Sequence, residues 1–198
     1  MIASWTELLG AALGLVNIGL LVRRSVWNFP AAMASVLLVG VTLFQARLYS
    51  ESGLQAFFFV VNLLGWYQWS RAASADHNPD HAVPVGWMTP SARTGWAAVT
   101  VLLSLSLGWA MHQFTNAALP FADSAVTGAS IAAQLLLNNR RIENWVLWIA
   151  IDVVSVALYL NRELYFFAAL YVVFLVMSVI GLRQWVTSAK PLRARPPG

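Results

Sequence analysis

Residues 24–69 recur without a gap at residues 140–185. One offset of 116 carries Arg24 to Arg140, Asn28 to Asn144, Leu48-Tyr49 to Leu164-Tyr165, Gly65 to Gly181 and Gln68-Trp69 to Gln184-Trp185. With Ala34, Leu54, Phe58 and Val60, 11 of 46 positions are identical. Two apolar segments share Leu and Val through composition alone, but matched Asn, Tyr, Gly, Gln and Trp at one offset need a common origin. An internal duplication of apolar segments is the mark of a transporter, with its substrate site between the repeats.

The apolarity of those segments sets the solvent. Of 198 residues, 59% are hydrophobic and only 10% charged, with a mean hydropathy of +0.65. A soluble domain carries about 25% charged residues because its surface faces water. This chain therefore predicts an all-α membrane protein. A helix crosses the hydrocarbon core in roughly 20 residues, and seven segments qualify, near 5–22, 27–48, 52–70, 94–113, 120–138, 142–161 and 163–186. The first run has no basic flank or small-residue cleavage site, so it reads as a retained span and not a signal peptide. Cysteine is absent, which removes disulfides and thiolate metal sites.

Charge orients the spans. With the N-terminus outside and the C-terminus cytoplasmic, ten of the twelve basic residues fall on the inner side. Only Arg47 and Arg162 fall outside, a clear positive-inside bias. The formal charge of +4 thus reports topology and gives no reason to invoke nucleic acid. A three-span unit followed by one extra span returns the second unit to the same side, which makes the repeats parallel in a 3+1+3 arrangement. The division expected is 1–70 for the first three-helix repeat and 71–113 for a cytoplasmic loop and linker helix. Residues 114–187 form the second repeat, and 188–198 a disordered basic tail.

Polar groups inside spans are costly, so each is a candidate for the site. In Glu143-Asn144-Trp145-Val146-Leu147-Trp148, followed four residues on by Asp152, the residues Trp145, Trp148 and Asp152 stand at i, i+3 and i+7 and share one helical face. Two indoles and a carboxylate on one stripe suit a flat cation, through ring quadrupoles and a charge in low dielectric. Thr127, Ser130 and Gln134 share a face of span 5 in the same spacing and can read donors and acceptors on a substrate. In span 3, Asn62 and Trp66 lie one turn apart, while Tyr67 and Trp69 suit an aromatic anchor at the membrane surface. Asn28 and Asn144 brace their helices, and Asn144 is kept as a candidate contact beside the tryptophans. Tyr165 is a candidate gate or packing residue.

Other signals carry little. Asp76, His77, Asp80 and His81 have metal-like spacing but sit in a hydrophilic loop with Pro79. Phosphate loop, nucleophile elbow and zinc motif are all missing from the sequence, so no enzyme activity, cofactor or metal is expected.

The runs FFVVNLLGWYQW (Phe58–Trp69) and RIENWVLWIAID (Arg141–Asp152), set in a 3+1+3 layout, resemble the PnuC family of bacterial vitamin transporters. The resemblance extends from about Trp5 to Trp185. It implies a SWEET-like parallel duplication, a homotrimer with one pathway per protomer, and facilitated diffusion of an unphosphorylated B vitamin trapped by cytosolic phosphorylation. It also places the chain in the bacterial inner membrane. Members that carry nicotinamide riboside resemble Trp-x-x-Trp-x-x-x-Asn, whereas thiamine carriers of the PnuT type tend to have Asp at the last position. Here that position is Asp152. Thiamine is accordingly the expected cargo and nicotinamide riboside, also a cation, the alternative.

Overall fold

A computed structural model describes residues 5–45, 49–75, 83–115 and 119–189. Seven α-helices run through them: α1 (Trp5–Val22), α2 (Asn28–Gln45), α3 (Tyr49–Ala75), α4 (Pro90–Phe114), α5 (Pro120–Asn138), α6 (Glu143–Asn161) and α7 (Tyr165–Ser188). The loop carrying Asp76, His77, Asp80 and His81 lies outside the described residues, as do Arg47 and the tail from Lys190. By length and apolarity alone, α4, α6 and α7 are able to cross a bilayer, and α1 and α2 have shorter apolar stretches. Helices α3 and α5 are diluted by Gln55, Asn62, Gln134 and Asn138, which the fold turns inward.

Adding 116 to the first three helices lands on the last three, and their packing follows the same rule. Within the units α1 packs on α2 and α2 on α3, as α5 packs on α6 and α6 on α7. Between the units α1 meets α7 while α3 meets α5, the same contact made twice around a pseudo-twofold axis. Helix α4 touches α6 through Arg93 and packs along α5. There Gly108 and Gly128 let the backbones close up: a Cβ on Gly128 would sit 2.3 Å from the Ser104 hydroxyl. The sequence placed α4 from residue 94. It starts earlier because Thr89 Oγ1 accepts the Ala92 amide and Pro90 occupies the first turn.

The turns joining α1 to α2 and α5 to α6 are copies. Arg24 and Arg140 adopt positive φ, 58° and 59°. In each turn two amides reach back to the leucine carbonyls of the helix just ended: Arg24 to Leu21 and Ser25 to Leu20, then Arg140 to Leu137 and Arg141 to Leu136. This is the Schellman way of closing a helix, made with arginine where glycine would be easier. Asn28 Nδ2 then donates to the Ser25 carbonyl at 2.7 Å, and Asn144 Nδ2 to that of Arg141 at 2.6 Å. Residues 83–86 cross both turns: the Val83 amide donates to the Arg24 carbonyl and the Gly86 amide to that of Arg140. Both turns therefore lie at one end of the bundle, so the repeats are parallel.

Four rings fill the axis at that end. Trp69 and Trp185, equivalent in the two repeats, face each other at 6.0 Å, and neither is exposed. Phe29 meets Trp69 edge-on at 5.2 Å, and its counterpart Trp145 meets Trp185 edge-on at 5.5 Å. The repeated glycines make the room. A Cβ on Gly65 would stand 2.4 Å from the Phe29 ring, and one on Gly181 would stand 2.5 Å from that of Trp145. Trp69 Nε1 donates to the Asn138 carbonyl, and Trp185 Nε1 to that of Leu21, so each repeat bonds to the first helix of the other. Trp69 is thus a core residue. The surface-anchor expectation for it is corrected, because Gly65 draws the ring in under Phe29; Tyr67, beside it, is exposed under Arg71.

Candidate functional site

Above the four-ring floor the two repeats part to leave a cavity of about 660 Å³, inside the roughly 300–1,000 Å³ range of small-molecule sites. Its wall is built from residues equivalent under the offset. Under it Ile18 corresponds to Gln134, Ala32 to Trp148, Val36 to Asp152, Gln55 to Tyr171 and Asn62 to Ser178. The symmetry is one of position and not of chemistry. The α1–α2 side is mostly small and apolar (Gly10, Gly14, Ala32, Val36, with Asn17, Ser35 and Thr42 among them), whereas α5, α6 and α7 together carry most of the polar and aromatic groups.

Seven of the residues singled out from the sequence line this space: Asn62, Thr127, Ser130, Gln134, Trp145, Trp148 and Asp152. The helical spacing in α5 and α6 explains why they arrive together. Trp145 forms part of the floor, 1% exposed, with its indole nitrogen lacking a hydrogen-bond partner among the described residues. Trp148, one turn up, has its ring at the cavity surface. Asp152 is 3% exposed, and its Oδ2 accepts from the Ser178 hydroxyl at 2.9 Å. Lys, Arg and His are absent from the lining among the described residues, so the carboxylate has no counter-ion there. A charged carboxylate in such a place needs compensation, which a cation in the cavity would supply.

Three other candidates lie away from the cavity. Asn144 is fully buried, and its amide nitrogen is taken up by the Arg141 carbonyl at the start of α6, which leaves bracing as its observed work. Trp66 sits about 40° round the helix from Asn62, enough to put it at 36% exposure on the outer face. Tyr165, at the first turn of α7, is 66% exposed. In the other direction, the cavity recruits Asn17, Gln55, Tyr171 and Ser178, which sequence reasoning passed over. The offset was the available signal: Ser178 and Tyr171 are the images of Asn62 and Gln55.

Outside the cavity, two ion pairs hold the ends. Glu143 Oε1 accepts from Arg93 Nε at 2.7 Å and from the Met88 amide at 2.9 Å, fastening α4 and its lead-in to α6. Arg162 donates to both oxygens of Asp123 at 2.8 and 3.0 Å, joining the far end of α6 to the start of α5.

Parallel three-helix repeats enclosing a cavity with a few polar groups on their shared axis define a class, that of membrane transporters built by duplication. Comparison with known proteins narrows it. The profile of the nicotinamide mononucleotide transporter family matches residues 4–187. The nicotinamide riboside transporter PnuC of Escherichia coli (strain K12) is 30% identical over 97% of this chain and 89% of its own. The riboflavin/roseoflavin transporter RibM of Streptomyces davaonensis is also 30% identical, over 91% of this chain and 84% of its own. A crystal structure of the vitamin B3 transporter PnuC superposes with a TM-score of 0.77 at 22% identity, covering 93% of this chain and 81% of that one. The chain belongs to the PnuC family of membrane vitamin transporters.

Proposed function

We propose that the protein carries an unphosphorylated, positively charged B vitamin across the bacterial inner membrane by facilitated diffusion, and that the cargo is nicotinamide riboside. The observation that carries this reading is Asp152, a carboxylate on the cavity wall with a Ser178 hydroxyl and no counter-ion. The pyridinium ring of nicotinamide riboside is flat and cationic, which suits Asp152 together with the Trp148 ring. The names of the relatives compared above give the thiamine expectation no support, whereas PnuC of Escherichia coli is a nicotinamide riboside transporter by name. Riboflavin, the cargo named for RibM, is neutral and would gain little from Asp152. A mononucleotide, as in the family's description, would bring a phosphate beside Asp152 to a wall without a cationic residue. Charge repulsion therefore favours the nucleoside.

On this reading Trp148, Asp152, Gln134, Asn62, Thr127 and Ser130 form the binding wall, with Trp145 beneath. The boundaries 1–70, 71–113 and 114–187 mark the two repeats and the segment between them. The N-terminus faces outward, the assembly is a trimer, and phosphorylation in the cytosol retains the product. Thiamine is kept as a second reading on one ground, the Asp152 that stands where nicotinamide riboside carriers resemble Asn. Calorimetry on purified protein with nicotinamide riboside, its mononucleotide, thiamine and riboflavin, followed by uptake into liposomes, tests the proposal. Saturable binding and uptake of nicotinamide riboside, without either for the mononucleotide, is the expected result. Binding of thiamine alone would overturn the choice of cargo, and uptake of none of the four would overturn the function.

A further inference from the structure

Three side-chain amides meet between α3 and α5: Asn62, Gln134 and Asn138, each no more than 7% exposed. Two of them are anchored to main-chain carbonyls. Asn62 Nδ2 donates to the Phe58 carbonyl and Asn138 Nδ2 to the Val61 carbonyl, both at 2.8 Å. A carbonyl only accepts, so each asparagine must turn its nitrogen to the backbone and its oxygen the other way. Both oxygens converge on Gln134 Nε2, at 3.3 Å from Asn62 and 3.2 Å from Asn138. The two hydrogens of that nitrogen are thereby engaged. Turning the Gln134 amide over would set its oxygen against two other oxygens, losing two bonds and creating two repulsions. Gln134 is therefore locked with Oε1 as the group left for the cavity.

We infer that Asn138 is a positioning residue that, with Asn62, makes Gln134 an obligate acceptor, so that the site selects ligands presenting an N–H donor there. Asn138 is not on the cavity wall and acts through Gln134. Space for its side chain exists because residue 65 is glycine; a Cβ there would be 2.5 Å from Asn138 Oδ1. Its backbone is held from the other side, where its carbonyl receives the Trp69 indole. On the reading of nicotinamide riboside as cargo, on which this inference rests, the donor is the primary carboxamide of the pyridinium ring. The corresponding methyl ester keeps the charge and the ring but has no donor at that point, and would set its oxygens against Oε1.

The test measures the affinity of purified protein for nicotinamide riboside and for the methyl ester of nicotinic acid riboside. The variants are Asn138→Ala, Gln134→Ala and the double substitution. The wild type is expected to favour the amide by at least tenfold. Asn138→Ala should cut that preference by at least about threefold, because one of the two acceptors that fix the glutamine is then gone and Asn62 alone opposes its turning over. In the Gln134→Ala background, Asn138→Ala should change neither affinity by more than about twofold. A purely structural Asn138 would instead lower both affinities alike, with effects that multiply in the double variant, and that outcome overturns the inference. Should Asn138→Ala not fold, Asn138→Leu keeps nearly the same volume without an amide and enters the same cycle with the same criteria. A wild type that binds the amide without preferring it sinks this inference alone, whereas one that binds neither ligand sinks the choice of cargo with it.

Discussion

Replacing Asp152 by asparagine removes a charge and almost nothing else. The side chain keeps its shape, and an amide oxygen can still accept the Ser178 hydroxyl that now lies 2.9 Å away. What goes is the attraction for a cation in the cavity. At an effective dielectric near 20, unit charges about 5 Å apart attract by about 3 kcal/mol. The amide dipole recovers part of that, and loss of the cation's hydration is common to both forms. The net loss works out at about 1.4–3 kcal/mol, or roughly 10- to 100-fold in Kd. Calorimetry with nicotinamide riboside checks it, against the reduced 1,4-dihydro form as a neutral ligand of nearly the same outline. Affinity for the cation should fall by that factor and affinity for the neutral form by less than about threefold. Equal losses for the two ligands would show that Asp152 shapes the cavity and does not read charge; no loss for either would remove it from the site.

Thermal unfolding in detergent checks the rest. Gly65→Ala and Gly181→Ala each force a Cβ within 2.5 Å of an aromatic ring, and overpacking of this kind costs about 1–3 kcal/mol; an unchanged melting temperature would contradict the packing described. Trp69→Phe and Trp185→Phe each delete one buried indole–carbonyl bond. They should lower stability by similar amounts, about 1–2 kcal/mol each, and a large difference between them would break the pseudo-symmetry argument. The two ion pairs should separate clearly. The Asp123–Arg162 pair is open to solvent, at 29% and 41% side-chain exposure, so Asp123→Asn should change stability by about 0–1 kcal/mol. Glu143, at 12% exposure and holding two donors, should cost about 1–3 kcal/mol on conversion to glutamine, and the reverse order would refute the assignment.

Helix positions were legible because each span is an apolar run closed by a polar turn, and the duplication fixed which spans correspond. The α5 and α6 walls of the cavity were legible for a similar reason: residues at i, i+3 and i+7 must share a face whatever surrounds them. Helical spacing says nothing about which face meets which neighbour, and there the reading stopped. Trp69 looks like an interfacial ring because Arg71 follows it, and only the packing of Phe29 on Gly65 reveals it as core. Asn138 closes a helix beside Asn139 and carries no motif; its importance comes from α3, distant in sequence. Trp66 stands one turn from Asn62 and Tyr165 is the repeat partner of Tyr49, yet neither relation fixes a direction, and both rings are exposed away from the cavity.

The crossed indoles have a mechanical consequence. Trp69 holds the opposite repeat by Asn138, and Trp185 holds the opposite repeat by Leu21, so neither half can peel away from this end alone. Any passage through it has to break both clasps and separate the rings between them, while residues 83–86 tie the two turns together at the same end. Closure at this end is thus a joint product of the duplication, each repeat lending the other one indole donor and one carbonyl acceptor.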